Sequence, residues 1–84
     1  MTKVTVYSKS WCPFCVRAKM LLQSKNIDFD EIDIGKQPEK RNEMIERSQR
    51  NTVPQIFINE HHVGGCDELL AAEAQGTLDQ LLNT

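Results

Sequence analysis

Lys3-Val4-Thr5-Val6-Tyr7-Ser8-Lys9-Ser10-Trp11-Cys12-Pro13-Phe14-Cys15 joins an alternating segment to a Cys-x-x-Cys pair. From Lys3 to Tyr7 the alternation predicts a first strand, with Val4 and Val6 on one face and Lys3, Thr5 and Tyr7 on the other. Pro13 suits the first position of a helix, because its missing N–H would have no partner there and its φ is already helical. Cys15, Ala18 and Leu22 recur on one side with Leu21 beside them, so a helix is expected from Pro13 to about Lys25, with Asn26 as its stop. The two cysteines therefore stand where a strand turns into a helix.

That placement gives the two sulfurs different chemistry. With Pro13 first in the helix, Cys12 is the N-cap, and its sulfur faces the free N–H groups of Phe14 and Cys15 and the positive end of the helix dipole. Lys9, three residues earlier, adds a positive charge. These interactions favour thiolate over thiol. Cys15 lies one turn deeper without such donors and is expected to remain a buried thiol. Cys12 is then the attacking sulfur and Cys15 the resolving one, and the i, i+3 spacing lets them close into a disulfide. A Cys-x-x-Cys also reads as half a zinc knuckle, which Cys66 and His62 would complete as a Cys₃His set. Against metal stand Pro13, which stiffens the turn, and a chain that supplies a core without it. No metal is expected.

Working outward, a second strand is expected within Ile27–Ile34, where the apolar phase slips between Phe29 and Ile32 and part must be bulge or loop. Pro38 opens a second helix carrying Met44 and Ile45 and ending near Arg47 to Gln49. Gln55-Ile56-Phe57-Ile58 and His61-His62-Val63 around Asn59-Glu60 signal a hairpin, in which both histidines are expected to be structural. Gly64-Gly65 leads into a helix from about Cys66 to Gln75. After Gly76 comes a short last helix, for which Thr77 and Gln80 fit a capping box. The order is β-α-β-α-β-β-α-α. One parallel βαβ unit followed by an antiparallel hairpin gives an α/β fold, a four-stranded mixed β-sheet flanked by helices on both faces.

Composition narrows the class. Eighty-four residues leave room for one domain, expected to span 1–84. Hydrophobic residues at 39% and charged residues at 26% fit a globular domain and exclude disorder or a coiled coil. A net charge of −2 argues against nucleic acid as a partner. The longest apolar run, Leu69 to Ala72, is far short of a membrane span, and the amino end alternates where a signal peptide would be continuously apolar. Three cysteines are an odd count for a disulfide scaffold, so a reducing, cytoplasmic setting is expected. Basic residues crowd the first helix; the acids between Asp28 and Asp33 are expected on a solvated strand face.

Two further segments suggest a ligand. Thr52-Val53-Pro54 precedes the third strand. A cis bond there would turn the Val53 backbone outward as a short edge for an extended thiol peptide, whereas a trans bond would make Pro54 an ordinary strand-start proline. Gly64-Gly65-Cys66-Asp67-Glu68 brings bare N–H groups at a helix start to an anion, with Asp67 beside them to attract a cation. The same segment also fits a plain Gly-Gly turn with Asp67 as helix cap. A carboxylate and an ammonium on one carbon, on an extended anionic peptide with a thiol, describe glutathione.

On Tyr7-Ser8-Lys9, Cys12-Pro13-Phe14-Cys15, Thr52 through Ile58 and Gly64 through Leu69, the chain resembles the dithiol glutaredoxins, and among them the small bacterial glutaredoxin-three type. The resemblance runs over essentially the whole chain. It implies a thioredoxin fold, a cis Val53–Pro54 bond, and a glutathione-dependent thiol–disulfide oxidoreductase with a redox-active Cys12–Cys15 disulfide. Carried over by residue, the glutathione site would be Lys9, Cys12, Phe14, Thr52, Val53, Pro54, Gly65, Cys66 and Asp67, with Arg47 and Arg50 as further candidates for the glycine carboxylate. Cys66 would line the site without being catalytic. Phe14 stands where this class usually has Tyr, keeping the ring and losing the hydroxyl. The implied partners are glutathione, protein disulfides and glutathionylated proteins, ribonucleotide reductase among the family's targets, and the chain is expected to be a monomer. Rival readings are a redoxin fed by thioredoxin reductase, against which the Thr52-Val53-Pro54 and Gly65-Cys66-Asp67 segments speak, and a zinc or iron–sulfur carrier, which Pro13 disfavours. Trp11 either packs near the site or contacts a partner.

Overall fold

Two central strands buried on both faces organise the molecule, whose computed structural model describes residues 2–83. The elements are β1 (Val4–Ser8), α1 (Pro13–Ser24), β2 (Asp30–Asp33), α2 (Pro38–Ser48), β3 (Gln55–Ile58), β4 (His61–Gly64), α3 (Cys66–Gln75) and α4 (Thr77–Leu82). The strands form one sheet in the order β2-β1-β3-β4, with β1 parallel to β2 and antiparallel to β3, and β3 antiparallel to β4. In register, Val4 faces Ile58 and Val6 faces Ile56, so these four side chains share one surface of the sheet. Ala18 and Leu22 of α1, Leu69 of α3 and Leu78 of α4 close over them. The intervening Tyr7 and Phe57 point to the opposite surface, where Ile34, just past β2, and Met44 of α2 cover them. The expected mixed sheet with helices on both faces is the observed architecture.

The phase slip in the second strand has a simple cause. Ile27 and Phe29 pack against the α1 side, and Ile32 against the α2 side. Only Asp30–Asp33, after the slip, pairs with β1. One sequence expectation needs correction here. Thr77 is not a cap, because Gly76, at φ 79°, both ends α3 and precedes α4, leaving Thr77 as the first helical residue. The acids between Asp28 and Asp33 do lie on a largely solvated face, Asp28, Asp30 and Glu31 being exposed, and two of them are hydrogen-bonded as well. Glu31 accepts from Ser8 Oγ at 2.7 Å and from Lys19 Nζ at 2.8 Å, and Asp33 accepts from the Gly35 and Lys36 N–H groups in the turn before α2.

Candidate active site

Cys12 caps α1. Its backbone is extended, Pro13 opens the helix behind it, and its Sγ accepts the Cys15 N–H at 3.2 Å. Of the two backbone donors expected, the Cys15 N–H makes the observed bond. The sulfur stands at the positive end of the helix dipole, where negative charge is stabilised. Cys15, one turn in, is 1% exposed. Burial pushes its thiol up to about 12, helped by its hydrogen bond with the Cys12 sulfur and by the charge there, while the Lys9 N–H and Lys19 act in the opposite sense. Cys66 is buried too, and burial followed by the Asp67 charge raises its pKa. All three are free thiols. Iodoacetamide at pH 7 should therefore add one carbamidomethyl group per folded chain, at Cys12, with Cys15 and Cys66 labelled only after denaturation. Peptide mass mapping reads this directly, and equal labelling of Cys15 would contradict it.

A groove of about 250 Å³ opens beside this pair, lined by Phe14, Arg50, Thr52, Val53, Pro54, Gly65, Cys66, Asp67 and Glu68. The Cys12 Sγ lies 3.9 Å from the Val53 carbonyl, which joins the sulfur to the groove wall. The Val53–Pro54 bond is cis. Across the groove, Gly65 caps α3, and the Glu68 carboxylate reaches back to accept the Gly65 N–H at 2.7 Å. The cap is thus made by Glu68 rather than by Asp67. The Asp67 side chain stays exposed, its carboxylate making no hydrogen bond or ion pair among the described residues. Gly64 has to be glycine twice over, since its φ is +123° and an added Cβ would lie 2.6–2.9 Å from the Glu68 side chain.

Eight of the nine residues expected for the ligand site thus come together: Phe14, Thr52, Val53, Pro54, Gly65, Cys66 and Asp67 on the groove wall, and Cys12 at its edge through Val53. Lys9 is exposed on the loop before Cys12, does not line the groove, and has Gly35 near its side chain. Arg47 is placed elsewhere altogether. It donates to the Tyr7 hydroxyl at 2.9 Å and lies over the Phe57 ring at 4.1 Å, on the α2 side of the sheet. Arg50 does reach the groove and pairs with Glu68 at 2.8 Å. Trp11 is 98% exposed and has a positive φ of 65°, so it packs against nothing near the site. His62 bonds Gln55 and stacks on Phe57, so the Cys₃His set is not assembled. The sequence did not single out Glu68 or Gln55. A Glu three residues into a helix from a glycine cap was the available signal for the first.

A capping sulfur backed by a buried one, at a β1–α1 junction of a β2-β1-β3-β4 sheet, defines a thiol–disulfide oxidoreductase of the thioredoxin fold. Comparison with known proteins narrows this. The glutaredoxin family model matches residues 4–63. Glutaredoxin 3 of Escherichia coli K12 is 55% identical over 82 residues, covering 98% of this chain and 99% of that protein. Glutaredoxin of Pseudomonas aeruginosa is 52% identical over 83 residues, covering 99% of both chains. The solution structure of Brucella melitensis glutaredoxin matches with a TM-score of 0.85 at 56% identity, over 98% of this chain and 89% of that one. A buckwheat glutaredoxin–glutathione complex matches with a TM-score of 0.89 at 26% identity, over 98% and 77%. The chain belongs to the glutaredoxin family, the glutathione-dependent thiol–disulfide oxidoreductases, and carries a dithiol pair.

Proposed function

We propose that the groove beside Cys12 holds glutathione and that Cys12 and Cys15 divide the chemistry between them. The observation that carries this is the convergence of Phe14, Thr52, Val53, Pro54, Gly65, Cys66 and Asp67 on one wall that reaches the Cys12 sulfur. Buckwheat glutaredoxin, similar in fold, was solved with glutathione bound. In this reading the Val53 backbone pairs with the extended tripeptide. Thr52, the α3 N-terminus at Cys66 and Asp67, and the Asp67 carboxylate hold the α-carboxylate and ammonium of the γ-glutamyl end. Gly65 and Pro54 shape the wall, the Phe14 ring supplies an apolar side, and Lys9 and Arg50 offer positive charge to the glycine carboxylate.

On a glutathionylated protein, the Cys12 thiolate attacks the glutathione sulfur. The old S–S bond breaks, the protein thiolate leaves and takes a proton, and Cys12 carries the glutathione. A second glutathione thiolate attacks that sulfur, giving glutathione disulfide and restoring Cys12. On a protein disulfide, the Cys12 thiolate attacks one sulfur, the target S–S bond breaks, the other sulfur leaves as a thiolate and takes a proton, and Cys12 is left in a mixed disulfide with the target. Cys15 then attacks the Cys12 sulfur, its proton passing to the departing target thiolate, and two glutathione molecules reduce the Cys12–Cys15 disulfide.

The test follows NADPH oxidation with a small mixed disulfide, with glutathione and glutathione reductase in one cuvette and thioredoxin reductase in another. Turnover in the first supports the reading; turnover only in the second overturns the glutathione site. Protein disulfides and glutathionylated proteins, ribonucleotide reductase among them, are the proposed substrates. A cytoplasmic monomer acting as one domain over residues 1–84 completes the proposal. Among the described residues no helix is long and apolar enough to cross a membrane.

A further inference from the structure

Behind the groove wall lies a polar relay that neither sulfur uses. Gln55 is wholly buried, yet each of its side-chain atoms has a partner. Its Nε2 donates to the Thr52 carbonyl at 3.0 Å and to the Thr52 Oγ1 at 3.2 Å. Its Oε1 lies 2.7 Å from His62 Nε2. A carbonyl oxygen only accepts, so the amide nitrogen must be the atom facing Thr52. The two amide hydrogens are then both committed, the amide oxygen is an acceptor, and His62 Nε2 must carry a hydrogen. Burial, reinforced by the Arg50 charge, lowers the His62 pKa, so at neutral pH the ring is the uncharged Nε2–H tautomer.

This relay sets the direction of two hydrogen-bond donors at the groove. The Thr52 hydroxyl accepts from Gln55, and its single hydrogen remains to donate to whatever occupies the groove. The Thr52–Val53 peptide is trans and planar, so its C=O and N–H point in opposite directions. With the carbonyl held toward buried Gln55, the Val53 N–H points away from it. We infer that Gln55 and His62 are positioning residues, which lock the Thr52 hydroxyl and the Val53 N–H as outward donors and so make the groove selective for the carboxylate and peptide carbonyl of the γ-glutamyl-cysteinyl part of a ligand. The inference rests on the glutathione site proposed above.

Its test compares two substrates, one cysteine peptide disulfide-bonded either to glutathione or to 2-mercaptoethanol, which has neither carboxylate nor peptide carbonyl. Wild-type protein should prefer the glutathione disulfide. Gln55→Glu replaces the amide donors with a carboxylate, to which the Thr52 hydroxyl must turn and donate. The ratio of kcat/KM for the two substrates should fall about tenfold, through a raised KM for the glutathione disulfide. His62→Leu should lower the ratio in the same direction, and His62→Gln, which keeps a donor near the Nε2 position, should restore most of it. A wild-type protein without the preference overturns the glutathione site itself. A preference that survives Gln55→Glu, or that falls only with kcat for both substrates together, overturns the relay's role. Nitrogen-15 NMR of the wild-type ring gives a check free of any folding defect: the Nε2–H tautomer is expected, and Nδ1–H would overturn the inference.

Discussion

Cys12→Ser is expected to end turnover on every disulfide, whereas Cys15→Ser is expected to end only the reduction of protein disulfides. The separation follows from how the two sulfurs are held. Cys12 stands at the α1 N-terminus with the Cys15 N–H on its sulfur, and its half-buried side chain is open to a substrate. A serine hydroxyl there would be a far poorer nucleophile than a thiolate at neutral pH. Cys15 is sealed beneath, its thiol pushed up to about 12. Two of the causes of that rise, the hydrogen bond with Cys12 and the charge on it, disappear once Cys12 is bound into a mixed disulfide. The opposing influences of the Lys9 N–H and Lys19 remain. The resolving thiol is therefore held silent in the free dithiol and becomes easier to ionise when it is needed. A glutathionylated peptide and a protein disulfide, each assayed by NADPH oxidation through glutathione and glutathione reductase, separate the two variants. Retained turnover in Cys12→Ser, or loss of peptide deglutathionylation in Cys15→Ser, would sink this division of roles.

Most of this molecule is legible in its sequence because local signals and tertiary packing agree. Val4, Val6, Ile56 and Ile58 alternate with Tyr7 and Phe57, and the sheet uses both sets, one for each layer of helices. Pro13 and Pro38 open the helices that the sequence places there. What escaped the sequence depends on side chains meeting across the fold. Arg47 and Arg50 are three residues apart with the same charge, and nothing in the sequence says that one lies over Phe57 and the other reaches Glu68. The Gln55–His62 relay joins adjacent strands through a cross-strand pairing shifted by a bulge between Ile56 and Phe57, which a linear pattern does not encode. Thr77 failed as a cap for a different reason. Residue type alone suits Thr77 to capping, while the left-handed Gly76 decides where α4 begins.

The second large effect concerns stability, and Leu22→Ala should show it. Leu22 is fully buried under α1, in the cluster that includes Val4, Val6, Ile56 and Leu69. Truncation removes its transfer free energy and leaves a cavity, a loss of about 2–5 kcal/mol. A domain of 84 residues has only about 4–13 kcal/mol to lose. At about 4–8 °C per kcal/mol for a domain of this size, the midpoint should fall by roughly 8–40 °C. Lys3→Ala is the control. The Lys3–Asp30 pair spans 3.9 Å with both side chains about 70% exposed, and such pairs contribute little in water. Leu22 also ties stability to chemistry, because the helix it anchors carries Cys12 at its first turn and the Leu22 carbonyl accepts the Ile27 N–H as the chain leaves α1. Thermal melts followed by circular dichroism would measure both variants. A Leu22→Ala midpoint indistinguishable from that of Lys3→Ala would mean that α1 is held by something other than its buried face.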